Sequence, residues 1–95
     1  MERKSSHTPE FEQFVAMLRE ARAASGLSQM QLAKKVGRDQ SIVSRWETGE
    51  LRMDLVQLRD FCRAIGVSLT DFVADFDQRA STRGQRRKAQ PGKRS

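Results

Sequence analysis

Leu27-Ser28-Gln29-Met30-Gln31-Leu32-Ala33-Lys34-Lys35-Val36-Gly37, then Arg38-Asp39-Gln40-Ser41-Ile42, then Val43-Ser44-Arg45-Trp46-Glu47-Thr48-Gly49, is the stretch that decides the fold. Ser28 and Gln31 have the spacing of a capping box, in which each side chain satisfies the other residue's backbone N–H. Leu32, Ala33 and Val36 then fall on one helical face, and Val43 and Trp46 fall on one face of a second helix. Gly37-Arg38-Asp39 leaves room between them for only a tight turn. Ala33 is small where the two helices must cross closely. The opposite face of the second helix carries Gln40, Ser41, Ser44 and Arg45, all able to exchange hydrogen bonds with a partner.

Outward from this stretch the same punctuation recurs. Gly26, Gly37, Gly49 and Gly66 each close a helix-compatible segment, and each new segment opens on a capping candidate: Thr8 before Pro9, Asp39, Asp54 and Ser68. The spacing predicts five helices over residues 9–24, 28–36, 40–47, 54–65 and 69–77. Phe11, Phe14, Val15, Leu18 and Arg22 share a face of the first. Leu55, Leu58, Phe61, Cys62 and Ile65 form the stripe of the fourth, and Leu69, Phe72, Val73 and Phe76 that of the fifth. No segment sustains a period of two, so the fold class is all-α. The expected organisation is a flexible N-terminus over 1–8, one domain over 9–78 and a disordered basic tail over 79–95, which holds no large apolar residue.

Charge is unevenly placed. The chain has 18 basic and 12 acidic residues, a net of +6; seven of the basic residues lie from Arg79 onward, where there is no acid. Residues 1–78 therefore carry 11 basic against 12 acidic side chains, a net of −1. Overall basicity describes the tail, and evidence for a nucleic-acid partner must come from charges within the motif. No run of 18 apolar residues exists to span a membrane, the N-terminus is polar rather than secretory, and Cys62 is the only cysteine. A cytoplasmic location is the expectation.

The quoted stretch resembles the helix-turn-helix of the phage Cro and repressor (xenobiotic-response-element-like) family. The likeness extends through Leu58, Phe61, Ala64-Ile65-Gly66-Val67-Ser68-Leu69 and Phe72, covering residues 11–76. It implies a five-helix lambda-repressor-like domain whose recognition helix, opening at Gln40, enters the major groove of double-stranded DNA. It also implies a sequence-specific transcriptional regulator, a repressor, acting as a homodimer on a palindromic operator with half-sites one helical turn apart. Val56, Val73 and Phe76 are the candidate dimer contacts. Arg45 is long enough to reach guanine O6 and N7, and Gln40 can address adenine N6 and N7; Ser41 and Ser44 are shorter and more permissive base contacts. Gln29, Thr48 and Arg52 occupy positions that touch phosphate in the resemblance; Arg38, with Lys34 and Lys35 behind it, is a further phosphate candidate. Glu47 is expected to pair with Arg22, as guanidinium and carboxylate can bond bidentately. Asp39 departs from the pattern: it suits a helix cap, yet it would repel phosphate or select cytosine N4.

Other chemistry finds no support. Trp46 and Cys62 lie on apolar stripes and read as core residues. His7 is the only histidine and has no partner for a triad or a metal site. Neither an enzyme nor a cofactor or metal is expected. The alternative is a protein-interaction module, an antitoxin or bridging cofactor, whose partner would be a toxin or antirepressor and whose activity would survive changes to Gln40, Ser41 and Arg45.

Overall fold

Local signals place five helices in the computed structural model, which describes residues 8–85, with side chains to Ser81. They are α1 (Pro9–Ser25), α2 (Gln29–Val36), α3 (Gln40–Thr48), α4 (Leu55–Ile65) and α5 (Leu69–Gln85). Of the segment expected to be flexible over residues 1–8, residues 1–7, His7 included, lie outside the described residues, and Thr8 is the N-cap of α1. All five helices start within a residue of expectation, and side-chain caps that act locally open four of them. Thr8 Oγ1 accepts from Phe11 N–H at 3.0 Å, and Ser28 and Gln31 close the expected capping box. Asp54 and Gln57 close a second one, at 2.7 and 2.9 Å.

Asp39 is a correction. It takes the N-cap backbone conformation of α3, and its carbonyl accepts from Ile42 and Val43 N–H, but its carboxylate makes no capping hydrogen bond. The contrast with Asp54 is measurable. Asp54→Ala should cost about 0.5–2 kcal/mol in urea melts, whereas Asp39→Ala should cost no more than a few tenths from the helix dipole. Equal losses would show that Asp39 caps after all.

A second correction concerns α5, which runs to Gln85 rather than ending at residue 77. The stretch after 77 lacks large apolar residues, but its Arg, Ala and Gln are good helix formers. Arg79 also bonds back to Asp75 one turn earlier and across to Glu20 of α1, each at 3.2 Å. The first residues of the basic segment are therefore helical, and residues 86–95 lie outside the described ones.

Tertiary packing buries Met17 and Leu18 of α1, Leu32 and Ala33 of α2, Val43 and Trp46 of α3, Leu58, Phe61 and Cys62 of α4, and Phe72 of α5. Contacts link α2 to α3 and α4, α1 to α3, α4 and α5, and α4 to α5. Trp46 meets Phe61 edge-on at 6.5 Å, and Phe14 meets both Phe72 and Phe76 edge-on across the α1–α5 seam. Burial raises the pKa of the Cys62 thiol, which fits an inert core residue. Leu55, expected in the α4 stripe, is exposed instead, because the first turn of α4 projects beyond the core.

Candidate nucleic-acid interface

The turn between α2 and α3 is built by Gly37. Its φ of +71° lies in the left-handed region, where a Cβ would be strained even though open space surrounds it. Arg38 N–H then reaches back to the Ala33 carbonyl at 2.9 Å, satisfying the end of α2 and aiming the chain into α3. α3 has two unlike faces. Val43, Trp46 and Glu47 point inward and are buried, while Gln40, Ser41, Arg45 and Thr48 are exposed and Ser44 is half-buried.

Glu47 organises the interior. It is 2% exposed, and its carboxylate accepts from Arg22 Nε at 2.7 Å and Arg22 Nη2 at 3.0 Å, the bidentate geometry expected. The hydrogen bond to Glu47 raises the Arg22 pKa; burial opposes this, and the charge of Glu47 adds to it. Arg22 Nη1 donates to the Leu27 carbonyl at 2.8 Å, so one guanidinium ties α1, the α1–α2 loop and α3 together. Arg19 adds a contact that sequence reasoning missed: its Nη1 donates to the Glu47 carbonyl at 2.7 Å, near the end of α3. The signal was its position three residues before Arg22, on the same helical face.

From Glu47 a chain of amides leads outward. Gln29 Nε2 donates to Glu47 Oε1 at 3.0 Å, and Gln29 Oε1 accepts from Gln40 Nε2 at 2.8 Å. A buried carboxylate can only accept, so it dictates which way the Gln29 amide faces, and Gln29 in turn dictates the facing of Gln40. Gln40 is left with one N–H and its carbonyl oxygen for an outside partner. That pair matches the N7 acceptor and N6 donor of adenine.

The remaining expected contacts are exposed but not all unengaged. Thr48 Oγ1 donates to the Arg45 carbonyl at 3.2 Å. Arg52 lies over the Phe11 ring with its guanidinium carbon 4.3 Å from the centroid, which fixes its position beside α1. Arg38, Lys34 and Lys35 are exposed. Arg45 lies 3.9 Å from Glu50, a residue the sequence reading did not single out. Among the described residues, no group of three His, Cys, Asp or Glu side chains could hold a metal ion. No described helix is long and apolar enough to cross a membrane.

Two short helices meeting at a three-residue turn, the second anchored inward and presenting a polar outer face, define a helix-turn-helix DNA-binding domain. A family model described as a helix-turn-helix domain matches residues 13–74. An XRE-family like protein from Pseudomonas syringae pv. tomato superposes with a TM-score of 0.73 at 36% identity, over 80% of this chain and 93% of that one. The clp gene regulator ClgR from Corynebacterium glutamicum does so with 0.67 at 25% identity, over 77% and 95% of the respective chains. A mutant of the restriction–modification controller protein C.Esp1396I shares the fold, with a TM-score of 0.71 at 18% identity over 77% and 97%. Comparison with curated proteins gives no match. The chain belongs to the Cro/XRE-type helix-turn-helix family, a family of DNA-binding transcription regulators.

Proposed function

We propose that the domain represses transcription as a homodimer that reads a palindromic operator, with α3 lying in the major groove of each half-site. The observation that carries this reading is the orientation of α3. Val43, Trp46 and Glu47 lock its inner face, so Gln40, Ser41 and Arg45 are held outward together, and Gln40 is already turned by Gln29. Gln40 then reads adenine, Arg45 reads guanine, and Ser41 and Ser44 make shorter contacts to base or phosphate. Arg38, Arg52, Thr48 and the remaining N–H of Gln29 face the backbone and set the register.

A second copy has a surface to meet. Val56 and Val73 are exposed, and Phe76 lines a cleft of about 390 Å³ with Phe11, Phe14, Leu58 and Phe72. A dimer on a palindrome needs its two recognition helices about one turn of DNA apart, roughly 34 Å, and this apolar surface is the one we assign to the contact between copies.

Selection from a random duplex library at about 150 mM salt, where phosphate attraction alone is weakened, tests the reading. A two-fold symmetric motif is the expected result. Arg45→Ala should then reduce operator affinity by about 1–3 kcal/mol, roughly 5–150-fold, and relax one position in each half-site. No enrichment with the full chain would reject the operator reading and make the fold a protein-interaction module.

A further inference from the structure

The element that would face DNA is electrically neutral. Residues 38–52 contain Arg38, Arg45 and Arg52 against Asp39, Glu47 and Glu50. Glu47 is buried and spent on Arg22, but Glu50 is 68% exposed and stands in the loop between Thr48 and Arg52, both assigned to phosphate. An acid there is unfavourable for general attraction to a duplex.

Its place beside Arg45 is built by the fold. After α3 the chain turns back over the carbonyl of Arg45, which accepts from Thr48 Oγ1 and from Leu51 N–H, each at 3.2 Å. Glu50 N–H donates to the same Thr48 hydroxyl at 3.4 Å. These bonds hold the Glu50 backbone so that its carboxylate oxygen lies 3.9 Å from Nε of Arg45. At 3.9 Å the pair is an ionic contact rather than a hydrogen bond, and with the Arg45 side chain 59% exposed the guanidinium keeps its donors for a partner. Two of those donors can still face O6 and N7 of guanine.

We infer that Glu50 is a positioning residue for base recognition: it orients Arg45 toward guanine and cancels the charge by which Arg45 would grip any phosphate. The inference rests on the operator reading above. On a random duplex, Arg45 can gain a phosphate only by leaving Glu50 uncompensated within a Debye length of the same backbone, about 8–10 Å at moderate salt. At the operator, the neutral guanine edge is engaged while the ion pair persists. Discrimination is raised by weakening the wrong complexes.

The test uses the full chain and Glu50→Gln, which keeps the shape and removes the charge. Affinity is measured over a salt series for the selected operator and for a random duplex. Random-duplex affinity should rise about three- to tenfold with a salt slope steeper by up to about one, and the operator-to-random ratio should fall at least threefold. In an Arg45→Ala background the same change should leave that ratio unmoved, since Glu50 acts through Arg45. A ratio unchanged or raised by Glu50→Gln overturns the inference, and so does a fall that persists without Arg45. An unmodified chain that selects no sequence overturns the operator reading, and this inference with it.

Discussion

Glu47→Ala is expected to destabilise the domain by about 3–5 kcal/mol, the scale at which removing one partner of a buried ion pair leaves the other uncompensated. The carboxylate is 2% exposed, and the Arg22 side chain opposite it is 17% exposed, so water cannot replace the lost partner cheaply. Gln29 Nε2 loses its acceptor at the same time. For a domain of this size each kcal/mol lowers the melting temperature by about 4–8 °C, so thermal and urea melts should agree on a large shift. The double substitution Arg22→Met with Glu47→Leu should recover most of the loss, because it removes the charge that would otherwise stay buried. Recovery should stop short of complete, as Arg22 also holds the Leu27 carbonyl. A cost below about 1 kcal/mol for Glu47→Ala would mean the pair is solvated in solution. Under conditions where the variant remains folded, preference at the Gln40 position should also blur, since the amide chain from Glu47 to Gln40 is cut at its root.

Trp46→Ala should cost a similar 3–5 kcal/mol and abolish operator binding, while Trp46→Phe should cost about 1 kcal/mol or less. Trp46 is 2% exposed and is the largest side chain anchoring α3, packed edge-on against Phe61 of α4. Truncation to alanine leaves a cavity beneath the recognition helix, whose aim depends on that contact. Phenylalanine loses volume too, but an opposing effect is present: the indole Nε1–H is buried with no hydrogen-bond partner. An orphaned buried donor costs about 1–3 kcal/mol, and phenylalanine removes it. Denaturation curves of the two variants, read beside their operator affinities, check both statements. If Trp46→Phe proved as damaging as Trp46→Ala, shape at this position would outweigh both volume and polarity.

Much of this was legible from residues a few places apart. The capping box at Ser28, the cap at Asp54, the turn at Gly37 and the inward spacing of Val43 and Trp46 are local features, and each appears where it was expected. The Arg22–Glu47 pair was also anticipated, through family resemblance rather than spacing, since 25 residues separate its members. Asp39 shows the limit at the level of one side chain: the right residue type sits at the right backbone conformation, yet its carboxylate makes no cap. Leu55 shows it for burial, as periodicity gives a face but not how far along the helix the neighbours reach.

Helix number, helix starts, the three-residue turn and the outward face of α3 were determined by sequence alone, because caps and the 3.6-residue repeat act within one or two turns. Packing between elements decided the rest. It brought Arg19 onto the end of α3, turned Gln29 so that Gln40 presents an adenine-matching pair, joined Arg79 of α5 to Glu20 of α1, and folded the loop after α3 back to set Glu50 beside Arg45. A hydrogen bond's direction depends on the group that arrives opposite, and that group comes from a distant part of the chain.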